Sequence, residues 1–135
     1  MTPRKIKIRQ IDKSEYVIYR KKAQEFYQTM FQAEKASNWN AVGLNAVHCA
    51  ISASDALLIK FVGKRSISDD HMVVVELLLS SINLSGIKEK ANTLRRIIAE
   101  KNLIEYENRN FTRKDAQNII KRTERFYRWA MEILR

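Results

Sequence analysis

The sequence predicts an all-α fold, an antiparallel up-and-down bundle of about five helices. Three observations carry that prediction. Glycine and proline are scarce, three and one in 135 residues, or about 3% against roughly 12% in average proteins. That shortage disfavours β-sandwiches, barrels and glycine-rich phosphate loops, which need many tight turns. Apolar residues recur at three- and four-residue spacing over long stretches. The breaking positions Asn38, Gly63, Gly86 and Asn110 fall between those stretches. A hydrophobic fraction of 45% is enough for a core, and a chain of this length makes one domain.

Residues 1–13 read as a basic N-terminal arm, with Arg4, Lys5, Lys7, Arg9 and Lys13 against Asp12. The alternation of Ile6 and Ile8 is too short to define a strand, so a flexible, solubilising tail is expected ahead of a nucleic-acid arm. The helical domain then occupies 14–135. Its first helix starts at Ser14, a good N-cap, and sets Tyr16, Tyr19, Ala23, Phe26, Met30 and Ala33 on one face. Ser37-Asn38 closes it. The second helix, 39–61, is apolar on nearly every side, which makes it the central helix of the bundle. Its many Ala and Ser residues allow close approach of neighbours, and Gly63 supplies the stop.

Ser68, Asp69 and Asp70 form the acidic start of a third helix, filled by residues 72–79. The run Val73 to Val75 also suits a strand, but its length and the helical character of the chain favour a helix. After Ser85-Gly86 a fourth helix runs from Ile87 to Tyr106. Thr112 caps the fifth, with Asp115 three residues on in a capping-box arrangement. The fifth helix carries the apolar stripe Ala116, Ile119, Ile120, Thr123, Phe126, Tyr127, Ala130, Ile133 and Leu134.

The charge and residue counts bound the function. With 25 basic and 15 acidic side chains the net charge is +10, an argument about anionic partners rather than about fold. Cys49 is the only cysteine and there are two histidines, so a disulfide framework is excluded and a Cys/His zinc site is not expected. No metal or cofactor is expected. No run of eighteen apolar residues occurs and no apolar segment follows the basic N-terminus, so neither a membrane span nor a secretory signal is expected. A reduced, cytoplasmic setting follows.

Three groups of residues could carry chemistry. Asn45, His48, Ser52 and Asp55 form a polar line along the apolar second helix. Polar groups on such a helix meet partners or water. They either line a cleft, with His48 and Asp55 as acid–base or positioning groups, or make ordinary interhelical hydrogen bonds. On the fourth helix, the spacing Ile87, Ala91, Leu94, Ile98 continues onto Lys101 and Glu105, with Asn102 and Tyr106 beside them. Lys101 and Glu105 are four apart and can pair. Either this is a polar pocket or interface, or the helix bends near Glu100 and Leu103 and Ile104 take the core face. On the fifth helix Lys114, Lys121, Arg125 and Arg128 oppose the apolar stripe. With Arg95, Arg96 and Arg109 nearby in sequence, they could form an anion-binding surface. Phe126, Tyr127 and Trp129 lie near the core stripe, so a base-stacking platform is not expected.

Three stretches resemble a known family. These are Asn40-Ala41 through His48 to Leu57, the link from Gly63 to Ser68 and His71, and Lys101-Asn102-Leu103-Ile104-Glu105-Tyr106 followed by Phe111-Thr112 and Ala116. In order and spacing they resemble the HEPN domains (higher eukaryotes and prokaryotes nucleotide-binding), over about Tyr19 to Leu134. The resemblance implies a helical bundle that commonly dimerises. It also implies a frequent role as a metal-independent ribonuclease in toxin or defence systems, encoded beside a minimal nucleotidyltransferase. Such enzymes use an arginine, a polar follower and a histidine between one and two helical turns later, with two copies meeting at the dimer interface. The histidine acts on the 2′-hydroxyl or the leaving oxygen, and the arginine stabilises charge on the phosphate.

This chain departs from that pattern. Lys101 stands at the arginine position, Asn102 keeps the polar follower and Tyr106 stands at the nearest histidine position. Lysine lacks the planar fork that grips phosphate. Phenols titrate near 10 and imidazoles near about 6.5, so tyrosine is a poor base at neutral pH. The expected function is therefore a non-catalytic or altered HEPN module that binds RNA, a nucleotide or a partner, as a homodimer, in a defence or toxin–antitoxin-like system. One alternative is a metal-independent ribonuclease using Lys101 and Tyr106, with His48 contributing. The other is a structural partner of a minimal nucleotidyltransferase.

Overall fold

A computed structural model describes residues 6–135. The five helices are α1 (Tyr16–Lys35), α2 (Trp39–Val62), α3 (Met72–Ser81), α4 (Ile87–Tyr106) and α5 (Arg113–Ile133). They form an all-α bundle around α2, which packs against each of the other four. Residues from Val42 to Ile59 on α2 are almost continuously buried, among them Val47, Leu57 and Leu58 with no exposed surface. Of the described helices, α2 alone has the length and apolar character of a membrane span, and 78% of that window is buried by its neighbours. Its near-uniform hydrophobicity is that of a helix surrounded by protein.

Two small strands, β1 (Ile8–Gln10) and β2 (Lys64–Ser66), pair antiparallel with Arg9 opposite Arg65. This differs from the reading of the N-terminal segment as a free arm. Ile11 N–H donates to the Gly63 carbonyl at 2.8 Å, and Ile67 N–H donates to the Lys7 carbonyl at 3.1 Å. Short-range alternation could not reveal the strand, because its partner lies more than fifty residues away. Arg4 and Lys5 fall outside the described residues. The start of the first helix also differs. Ser14 does not cap α1, whose N-cap is Glu15 with no side-chain bond; Asp12 caps the turn before it, its carboxylate accepting from the Ser14 N–H at 2.9 Å and the Ser14 hydroxyl at 2.7 Å. A 3-10 turn over Lys13–Glu15 intervenes before α1.

The other helix ends follow the local chemistry. Gly63 stops α2 at φ 63°, a left-handed conformation natural to glycine. Asp70 accepts from the Met72 N–H at 3.0 Å and so sets the start of α3. The β-branched run of α3 is helical, with Val73, Val74 and Val75 buried. The Thr112–Asp115 capping box is formed at α5. At the far end of α5, Arg20 donates to the Leu134 carbonyl at 2.7 Å and Lys60 to the Ile133 carbonyl at 3.0 Å. Two cations thus meet the negative end of the helix dipole.

α4 runs unbroken to Tyr106. Ile104 turns toward α2, where Gly43 makes room: a Cβ there would meet Ile104 Cδ1 at 2.6 Å and the Phe111 ring at 2.8 Å. Leu103 and Ile104 pack against the core, and Lys101 stays half-buried on the adjacent face. This close approach sets the end of α4 against α2 and creates the candidate site.

Candidate functional site

The last two turns of α4, the middle of α2 and the start of α3 converge on two imidazoles and one ammonium. Lys101 Nζ donates to Glu105 Oε2 at 2.9 Å, the i,i+4 pair that the spacing allows. The hydrogen bond from Lys101 holds the Glu105 carboxyl below its usual range. His48 from α2 and His71 at the head of α3 both lie within the field of this pair. Burial is the main force lowering the pKa of each, and the charge of Lys101 lowers it further, while Glu105 pulls the other way. Both imidazoles are therefore neutral at physiological pH. The His48 ring also rests against Phe26, with centroids 5.4 Å apart.

A cleft of about 190 Å³ opens at His71 and Lys101, lined also by Asp69, Asp70, Met72, Ile98, Asn102 and Tyr106; His48 and Glu105 are not on its lining. Tyr106 is 76% exposed at its rim. A second cleft of about 230 Å³ lies on the other side of His71, lined by Ile51, Asp55, Arg65, Ser68 and Val74 among others. His71 borders both. In the second cleft Arg65 Nε donates to Asp55 Oδ2 at 3.1 Å. Asp55 is only 3% exposed and its Oδ1 has no hydrogen-bond partner. Burial pushes its pKa up to about 6, against the opposing pull of Arg65. The Arg65 guanidinium lies over the Tyr19 ring at 5.2 Å.

The sequence-predicted residues divide accordingly. Lys101, Asn102 and Tyr106 line one cleft, and Glu105 pairs beside them. His48 lies in the field of Lys101 and Glu105 but lines neither cleft, and Asp55 belongs to the neighbouring cleft with Arg65. Ser52 is buried between these positions on α2. Asn45 spends its amide on its own helix, donating to the Ala41 carbonyl at 2.8 Å. Lys114, Lys121, Arg125 and Arg128 lie on the exposed face of α5, and Arg128 contacts Glu124 at 3.3 Å. Phe126 is fully buried, and Tyr127 stacks on Tyr27 at 3.9 Å, so these aromatics serve packing.

Sequence reasoning missed two residues as members of a site, His71 and Arg65. For His71 the available signal was its place directly after an acidic helix start. For Arg65 it was the ten-residue interval from Asp55, which spans the end of α2, the Gly63 turn and the β2 strand. Among the described residues, no group of three or more His, Cys, Asp or Glu side chains converges in a way that could hold a metal ion.

Comparison with known proteins agrees with the fold. Neither the curated proteins nor the solved structures contain a match to this chain. A family model described as HEPN domain matches residues 16–134. That span begins with α1 and takes in all five helices and both clefts, and the chain therefore belongs to the HEPN family.

Proposed function

We propose that this HEPN protein binds RNA or a nucleotide in the His71–Lys101 cleft without cutting it, as a homodimer in a defence or toxin–antitoxin-like system of the cytoplasm. One observation carries the reading. The cation at the family's arginine position is a lysine whose ammonium is held by Glu105 at 2.9 Å. An ammonium engaged in this way is a point charge available for exchange with a phosphate oxygen, but it lacks the guanidinium fork that clamps a phosphorane from two sides. The neutral imidazole of His71 supplies an N–H donor and an acceptor for a sugar or base. Exposed Tyr106 at the rim offers a surface to the second protomer. Titration of labelled single-stranded RNA against the wild type and a Lys101→Ala/His71→Ala variant tests this reading. Salt-dependent binding by the wild type, weakened in the variant with the RNA recovered intact, is expected. Absence of binding at low salt contradicts it.

A second reading has its own support, because His48 and His71 arrive beside Lys101 from other helices and replace the histidine that α4 lacks. In that reading the protein is a metal-independent ribonuclease. Neutral His71 takes the proton of the RNA 2′-hydroxyl as the 2′-oxygen bonds to phosphorus. The P–O5′ bond breaks, and the departing 5′-oxygen takes a proton from Tyr106 while Lys101 neutralises the phosphorane. RNA cleavage in the presence of a chelator, abolished by His71→Ala and by Lys101→Ala, identifies it. A nucleotidyltransferase partner is compatible with either reading, and co-purification with such a protein tests that pairing.

A further inference from the structure

On the other side of α4 from Lys101, a polar groove of about 200 Å³ lies between α4 and α5. Arg96 enters it from one helix, and Arg122 and Arg125 from the other, with Asn92, Thr93 and Glu89 completing the walls. Four arginines elsewhere pair with carboxylates, Arg65 with Asp55, Arg109 with Asp115, Arg128 with Glu124 and Arg135 with Glu132, while Arg20 donates to the Leu134 carbonyl and Arg95 to Asn92 Oδ1. In the groove the positive charge is only partly matched. Arg122 reaches Glu100 only at 3.7 Å, and neither Arg96 nor Arg125 makes an ion pair among the described residues. Glu89 is the single carboxylate on the lining, against three guanidinium groups. Arg122 and Arg125 are three apart on one helix and so lie side by side, a like-charge arrangement that disfavours the empty state. Both helices are anchored from beneath by Leu94, Ile97 and Ile119, which are fully buried, so the groove keeps its shape.

Three guanidinium groups on the lining of one groove, Arg96 and Arg125 exposed and Arg122 half-buried, match a phosphate group, while Asn92 Oδ1 accepts from Arg95 and the Thr93 hydroxyl donates to the Glu89 carbonyl. Guanidinium forks pair with two phosphate oxygens at once, and a bound dianion relieves the repulsion between them. The groove shares no lining residue with either cleft at His71. We propose that the α4–α5 groove is a phosphate-binding site, formed by Arg96, Arg122 and Arg125, separate from the His71–Lys101 cleft. Its occupant is a phosphate of an RNA strand or of a free polyphosphate, and the chemistry that recognises the two is the same.

Three probes distinguish the sources: a single-stranded RNA oligonucleotide with a 5′-phosphate, the same RNA with a 5′-hydroxyl, and inorganic pyrophosphate. Each is titrated against the wild type, an Arg96→Ala/Arg125→Ala variant, and a Lys21→Ala/Lys35→Ala variant that removes the same net charge from exposed positions on α1. The groove variant is expected to bind about tenfold more weakly. Its salt dependence for RNA should fall by about 1.4 in slope, the loss of two single-strand phosphate contacts. The α1 variant should stay within about twofold of the wild type. Weakening for pyrophosphate and for 5′-phosphorylated RNA assigns a terminal or free phosphate, and equal weakening for both RNAs alone assigns internal phosphodiesters. Failure of the wild type to bind any probe, no change in the groove variant, or an equal loss in the α1 variant overturns the proposal. A Lys101→Ala/His71→Ala variant run in parallel keeps this test distinct from that of the cleft, because each site can lose its effect while the other retains it.

Discussion

Arg65 and Asp55 meet at 3.1 Å across the turn that follows α2, and the pair is half satisfied: Oδ2 accepts from the guanidinium while buried Oδ1 has no partner. This relationship makes a definite prediction for pH. Asp55 has its pKa raised to about 6 from the ordinary 3.8. A raised value means that the folded state binds the proton more tightly than the unfolded chain, so this group stabilises most below pH 4 and its contribution is lost as pH rises to 6. The full difference corresponds to about 3 kcal/mol. Urea denaturation of the wild type and Asp55→Asn at pH 4.5 and 7.5 checks it. The variant is expected to gain stability relative to the wild type at the higher pH.

Removing the other partner should act in the opposite direction. Arg65→Ala leaves a buried carboxylate with no counter-charge and is expected to cost about 2 kcal/mol near pH 7, below the full range for a buried pair because Arg65 is partly solvated. The loss should shrink at pH 4.5, where Asp55 is protonated. Denaturation curves at the two pH values measure this difference.

The two imidazoles should titrate below the ordinary histidine value, and through shared neighbours. Lys101→Met is expected to raise the pKa of both His48 and His71 without restoring the ordinary value, since burial is the larger cause in each. Glu105→Gln should lower both, because Glu105 opposes Lys101. Proton NMR titration of the ring resonances in the three proteins reads these shifts. Independent behaviour of the two histidines would show that they do not share Lys101 and Glu105 as neighbours.

Gly43 permits the approach of α4 to α2. Gly43→Ala places a methyl group 2.6 Å from Ile104 Cδ1 and 2.8 Å from the Phe111 ring. The ring is buried and gives way less readily than the end of an isoleucine. A destabilisation of about 2 kcal/mol is expected from overpacking, seen as a lower thermal midpoint. Ile104→Val in the same background should recover part of it.

Much of this architecture was legible in the sequence because it rests on local signals. Gly63, the Thr112–Asp115 box, the bounds of α4 and the all-round hydrophobicity of α2 each follow from a few neighbouring residues. The pairing of β1 with β2 does not, since its hydrogen bonds join segments at opposite ends of the first two helices. The site divides in the same way. The Lys101–Glu105 pair and the rim residues Asn102 and Tyr106 follow from one helical spacing. The meeting of His48, His71 and Lys101 depends on three helices, and the Asp55–Arg65 pair depends on the path taken after Gly63. The polar line on α2 was visible as a line, but that only Asp55 of it lines a cleft is set by what packs against each turn.

The most direct test of the central claim is incubation of the purified protein with labelled single-stranded RNA in the presence of a chelator, followed by both binding and product analysis. The account predicts a salt-sensitive complex that weakens in the Lys101→Ala/His71→Ala variant and releases intact RNA. Cleavage that depends on Lys101 and His71 would contradict it and establish the ribonuclease reading instead. A wild-type protein that ignores RNA at low salt would contradict both.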